Sequence, residues 1–191
     1  MKMGCFSIFF IFPVLLSACV ISRGGGFAPH NNIDFVSVKK LSELDGVYRG
    51  ISDESVGHSG GKIWEGIGKI IWPHDRTLHT NIARVEIRAQ GEDKLLVKAF
   101  DYKGLERKQQ VFVKCHDFDF TGGRIKFRRG NLVLQDHEDP LIGPDVTTVE
   151  MGIDKNRNGK VIITFSGTGV FMIVPAAIHQ TTELRFQRIV E

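Results

Sequence analysis

From residue 44 onward the apolar residues come in short runs of four to eight, broken by Gly, Asn and charged clusters. Ile82 to Ala89 sets Val85 and Ile87 against Arg84, Glu86 and Arg88, the period-two alternation of a half-buried strand. Gly91-Glu92-Asp93-Lys94 is a turn, and Leu95 to Phe100 follows it, so the pair reads as a hairpin. Gln110 to Cys115 is a further strand that Asp117 to Thr121 continues. Gly122-Gly123 then turns the chain into Arg124 to Arg128, with Ile125 and Phe127 on one face. Gly130-Asn131 leads into Leu132 to Gln135. Thr147 to Gly152, Val161 to Phe165, Gly169 to Val174 and Glu183 to Ile189 complete the set, with a polar turn at Asp154 to Gly159. Near the start, Val47-Tyr48 is a strand bracketed by Gly46 and Gly50. Lys62 to Trp72 is apolar, but Gly66 and Gly68 argue against a helix there. Asp34 to Val38 reads as an extended lead-in and Lys39 to Leu44 as a turn of helix with Ser42 at its cap. About ten short strands at this spacing predict an all-β, mainly antiparallel domain: a single β-barrel or β-sandwich. His137 to Asp145, with two prolines and three acids, is the irregular loop.

Upstream the pattern changes. Lys2 precedes an apolar run from Phe6 to Leu16, too short for a membrane-spanning helix of roughly 20 residues but suited to a secretory signal. It ends in Leu16-Ser17-Ala18-Cys19. These four residues resemble the lipobox of bacterial lipoproteins. The resemblance implies cleavage before Cys19, diacylglyceryl transfer to its sulfur and acylation, typically with palmitate, of its new amino group. Two or three acyl chains make a durable membrane anchor, since each buried methylene contributes about 0.8 kcal/mol. Val20 rather than Asp follows the Cys, which in this family points to the outer membrane. Three regions follow: a signal peptide over 1–18, a lipidated flexible tether over 19–33, rich in Gly, Pro and Asn, and a β-rich domain over 34–191.

Charge and cysteine usage narrow the class. Without residues 1–18 the chain keeps 173 residues, ample for one core. Its 24 Lys and Arg nearly balance 22 Asp and Glu, so nucleic acid is not an expected partner. With Cys5 in the signal and Cys19 lipidated, Cys115 is alone. Its place beside Val111, Phe112 and Val113 reads as an inert, buried strand residue.

A second resemblance rests on fewer residues. Gly46-Val47-Tyr48, with Arg185 or Arg188 on the last strand, is similar to the calycin or lipocalin pattern. There a Gly-x-Trp on the first strand is covered by a basic side chain near the end of the barrel. Tyr stands here in place of Trp. Asp101-Tyr102 matches part of a second lipocalin motif without its Thr. The resemblance implies a calycin-like barrel and nothing about a ligand.

No residue set in the body spells a catalytic or metal site. Asp154-Lys155-Asn156-Arg157-Asn158-Gly159 fits half of an EF-hand loop, but Phe165 stands where calcium requires a bidentate carboxylate. The stretch reads as a hairpin turn whose Asn and Gly supply positive φ. His74, Asp75 and His79, and likewise His116, Asp117 and Asp119, lack the spacing of zinc ligands and read as solvated polar positions. On a strand, His116 would face away from Asp117 and Asp119. His137, Glu138 and Asp139 read as surface acids of the loop. Ser166-Gly167-Thr168-Gly169 does not match a nucleophile elbow, and its glycines suggest a bulge or bend. Lys126, Arg128 and Arg129 form a basic patch on a wet strand face. Tyr48, Trp64 and Trp72 are the candidate ligand-binding residues, with core packing as their other reading.

The expectation is therefore a non-enzymatic binding or interaction module, lipid-anchored at the outer membrane and facing the periplasm, with no cofactor and no metal. Its partner would be an envelope protein, a lipid or peptidoglycan. The alternatives are a carrier of a small apolar ligand or lipid in a barrel lumen, and an envelope hydrolase.

Overall fold

The computed structural model describes residues 19–22, 35–56, 66–128, 141–142, 145–171 and 174–190. The strands are β1 (Cys19–Ser22), β2 (Gly46–Arg49), β3 (Glu54–Val56), β4 (Arg84–Ala89), β5 (Lys94–Phe100), β6 (Glu106–Val113) and β7 (Phe118–Thr121). They continue with β8 (Arg124–Phe127), β9 (Leu141–Ile142), β10 (Asp145–Ile153), β11 (Gly159–Phe171), β12 (Val174–Phe186) and β13 (Arg188–Ile189). One sheet runs β13-β2-β4-β5-β6. The other runs β1-β12-β11-β10-β8-β7, with β3 also beside β12 and β9 beside β11. All pairings but that of β1 are antiparallel. The all-β antiparallel domain expected from the alternating runs is present.

The sheets follow each other as a meander. They meet on one side at an isolated bridge between Lys114 and Phe118, and on the other where β12 passes through Gln187 into β13. Neither junction is a continuous ladder, so the sheets do not close into the calycin-like barrel favoured from sequence. Two facing sheets are the outcome. Between them lies one core, in which Val85, Ile87, Leu95, Val97 and Ala99 of the first sheet face Ile125, Val149, Ile153, Val161, Leu184 and Phe186 of the second. Phe112 and Phe127 meet edge to face at 5.9 Å across the junction.

Several local expectations are corrected. Ile67–Ile71 is a short helix, α1, despite its glycines. Gly66 caps it, and a Cβ on Gly68 would lie 2.2 Å from the Leu78 carbonyl oxygen. Close packing of an apolar turn outweighs glycine's low helix propensity. At Leu41–Leu44 the 3-10 turn is capped by Glu43 rather than Ser42: its carboxylate accepts the amides of Lys39 and Lys40 at 2.8 and 2.9 Å. Those two bonds hold the Glu43 carboxyl below its ordinary pKa. β11 runs unbroken through Gly167 and Gly169, in register with β12 at every step, so no bulge interrupts it. Leu132 to Gln135 and most of the acidic loop lie outside the described residues.

At the N-terminal side, Cys19–Ser22 pairs in parallel with Ala176–His179 of β12. The first four residues of the expected tether are thus a strand of the sheet, and 23–34 lie outside the described residues. Phe35 bridges to Asp154, and its ring lies beneath the Arg124 guanidinium at 4.5 Å and the Lys160 ammonium at 5.2 Å.

Candidate functional site

The expected ligand-binding residues separate. Tyr48 is in the core at 2% exposure, its hydroxyl donating to the Leu44 carbonyl at 2.8 Å. Burial pushes its pKa up to about 12, against the opposing pull of Arg188 and Arg157. The space it borders, with Leu44, Met151 and Phe186, is about 10 Å³, room for one water at most. Trp64 lies outside the described residues. Trp72 reaches a surface cleft.

That cleft is built from the end of α1, the segment that follows it and β6. The Trp72 amide closes the helix onto Gly68, and Pro73 then breaks the helical run. The Trp72 indole nitrogen donates to Gln110 Oε1 at 2.7 Å. Two residues earlier on the same strand face, Lys108 Nζ meets Asp75 Oδ2 at 2.8 Å. Thr77 donates to the other Asp75 oxygen at 2.6 Å. Held by Lys108 first and Thr77 second, the Asp75 carboxyl sits below its ordinary pKa. The opening lined by Trp72, Pro73, His74, Asp75, Lys108 and Gln110 encloses about 700 Å³, within the range of small-ligand sites. Lys108 and Gln110 were not singled out from sequence. Their only signal is an i, i+2 polar pair on a strand, which also describes any wet strand face.

The other clusters have local uses. Asp75 is committed to Lys108 and Thr77, and His79 Nε2 lies 3.1 Å from the Pro73 carbonyl. His116 does not face away from Asp117: both lie in a turn, with Nδ1 and Oδ1 2.9 Å apart. Asp119 forms a two-point pair with Arg128 at 2.7 Å each, which lowers the Asp119 pKa and raises that of Arg128. Arg129, His137, Glu138 and Asp139 lie outside the described residues. Among the described residues no three His, Cys, Asp or Glu gather as metal ligands.

Asp154 is 1% exposed and its carboxylate accepts the amides of Asn156 and Asn158 at 2.8 and 2.9 Å. The stretch is a hairpin turn. Its positive φ falls on Arg157, at 66°, and not on Asn or Gly, because the left-handed position follows a tight turn over Lys155-Asn156. Cys115 also departs from expectation. It lies in the turn after β6 at φ 66° and is exposed, because the strand ends at Val113 and the chain reverses toward Phe118.

One pair that the sequence did not join is Ser166 on β11 and His179 on β12, whose Oγ and Nδ1 lie 2.9 Å apart at the surface. They are direct register partners, a spacing of thirteen residues that only the β11–β12 pairing makes short.

The chain matches no family model, no curated protein and no solved structure.

Proposed function

We propose that the protein is a lipid-anchored envelope module that binds rather than catalyses, held at the outer membrane facing the periplasm through acylated Cys19. The observation that carries the anchor is Leu16-Ser17-Ala18-Cys19 behind a short apolar leader. The binding surface in this reading is the cleft beside Trp72. An indole, a paired cation and carboxylate, and an amide at one opening suit a ligand with both an apolar face and hydrogen-bonding groups. Such chemistry occurs in peptidoglycan fragments and in polar envelope lipids.

Intact-mass analysis of the membrane-purified chain tests the anchor. The reading requires a chain that begins at residue 19 and carries acyl mass, and a Cys19→Ala variant without either acylation or membrane retention. Unchanged fractionation of Cys19→Ala refutes it. The cleft is tested by tryptophan fluorescence titration with muropeptides and with phospholipid micelles. A saturable change that Lys108→Glu abolishes supports it, and no change with either probe removes it.

The lumenal-carrier reading finds no support in the space around Tyr48, which is far below the volume of an apolar ligand. A hydrolase reading has Ser166–His179 as its observation. Ser166 sits within an extended strand instead of a strand-to-helix elbow, so no following helix amides are aimed at an oxyanion. Labelling by a fluorophosphonate that Ser166→Ala removes would favour it.

A further inference from the structure

β11 and β12 are each 13 residues long and outrun their neighbours at one end. β10 accompanies β11 only as far as Gly167, and β3 reaches β12 only at Glu183 to Arg185. Beyond Gly167 the described residues of the sheet form four segments in register: β9, the end of β11, the start of β12, and β1. Leu141 and Ile142 pair with Phe171 and Val170. Those two pair with Val174 and Pro175, and Cys19 pairs with Ala176. The sequence of these segments is Leu-Ile, Gly-Val-Phe, Val-Pro-Ala-Ala-Ile and Cys-Val-Ile, with no charged residue in any of them. The register row at their base is polar, with Ser22, His179 and Ser166 side by side and the Ser166–His179 bond at its surface.

We infer that this sheet end is the membrane-seating face of the domain, entering the lipid interface together with the acyl chains on Cys19. The inference rests on the lipidation reading above. The occupant is a lipid surface because the residue expected to carry the acyl chains is itself in the register of the apolar end, three residues short of the polar row. The anchor residue and this uncharged sheet end fall at one place in the register. The sheet edges limit the depth. Among the described residues β1 and β9 each pair on one side only, and unpaired backbone groups are costly in hydrocarbon. The seat is therefore at the boundary of headgroups and acyl chains, about 5–10 Å deep, with the Ser166–His179 row left among the headgroups.

The test uses the full chain in vesicles of phosphatidylethanolamine and phosphatidylglycerol, with a benzophenone amino acid at exposed Thr168 or, as control, at exposed Lys155 in the turn at the opposite end of β11. Irradiation is expected to give lipid adducts at 168 and not at 155. Adducts at neither site, equal adducts at both, or a crosslink from 168 to a second copy overturns the inference. Mass analysis of the same sample reports separately whether Cys19 is acylated. If it is not, the anchor reading falls by itself, and absence of lipid adducts at 168 on the unacylated chain then rejects the seat as well.

Discussion

Arg188 on β13 stands against Tyr48 on β2 over the bare backbone of Gly46. A Cβ on Gly46 would lie 2.9 Å from Arg188 Nε and 3.1 Å from the Tyr48 hydroxyl oxygen. The Arg188 guanidinium also donates to the Asp45 carbonyl at 2.5 Å, and Arg188 and Tyr48 are register partners. Arg188 thereby fastens β13 to the chain at the start of β2, through the ladder and the Asp45 carbonyl. Tyr48→Phe strands the buried Leu44 carbonyl and is expected to cost about 1–3 kcal/mol. Urea denaturation should show this as a lower midpoint with an unchanged slope.

The same residue sets an alkaline limit. Tyr48 has a folded pKa of about 12 against 10.0 when unfolded, so the folded state holds its proton more tightly. Between those values the unfolded chain binds fewer protons and stability falls as pH rises. The contribution is whole below about pH 10 and is lost toward pH 12, on the order of 2–3 kcal/mol. Thermal melts across this window should fall for the native chain and be flatter for Tyr48→Phe.

At the β10–β11 turn, Asp154→Ala removes an acceptor from two amides and an Asn side chain inside the fold. A loss of about 2–4 kcal/mol is expected from the unsatisfied donors. Arg157→Gly relieves the left-handed position and is expected to add up to about 1 kcal/mol, less the lost bond to the Glu43 carbonyl. Calcium added to either variant or to the native chain should leave the melting temperature unchanged.

Cys115 is accessible. It should react with a thiol reagent in the folded chain about as fast as after unfolding, whereas a core thiol would be slow. Cys115→Gly should be neutral or slightly stabilising, and Cys115→Val destabilising by about 1–2 kcal/mol, since a β-branched residue tolerates φ 66° poorly. Paired chemical denaturation curves check this.

In the cleft, NMR titration of Asp75 should give a midpoint below the ordinary carboxylate value, moving upward in Lys108→Ala. Because the folded pKa is depressed, any stability from this pair is present at neutral pH and fades as pH falls through it. Gln110→Leu should alter the Trp72 emission, as its indole N–H loses its acceptor.

Strand identity was legible wherever one face is wet. Val85 and Ile87 against Arg84 and Glu86, or Ile125 and Phe127 against Lys126, carry the period of two in their side chains, and both alternations appear in the fold. The cleft was hardly legible. Trp72 could be named as an aromatic, but Asp75, Lys108 and Gln110 converge only because the segment after α1 lies against β6, at separations of 33 and 38 residues.

The amino-acid sequence by itself determined the all-β class, the hairpin after Ala89 and the turns at Gly91 and Gly122-Gly123, because each rests on local chemistry: alternation, or a residue that accepts positive φ. Only the tertiary structure decided the rest. It made two sheets of the strands instead of a closed barrel, folded a helix over Gly68, put Cys115 at the surface and positive φ on Arg157, and laid Cys19 beside Ala176. These outcomes depend on which distant backbone meets which. A sequence records side chains, and pairing between strands is a bond between backbones, which every residue carries alike.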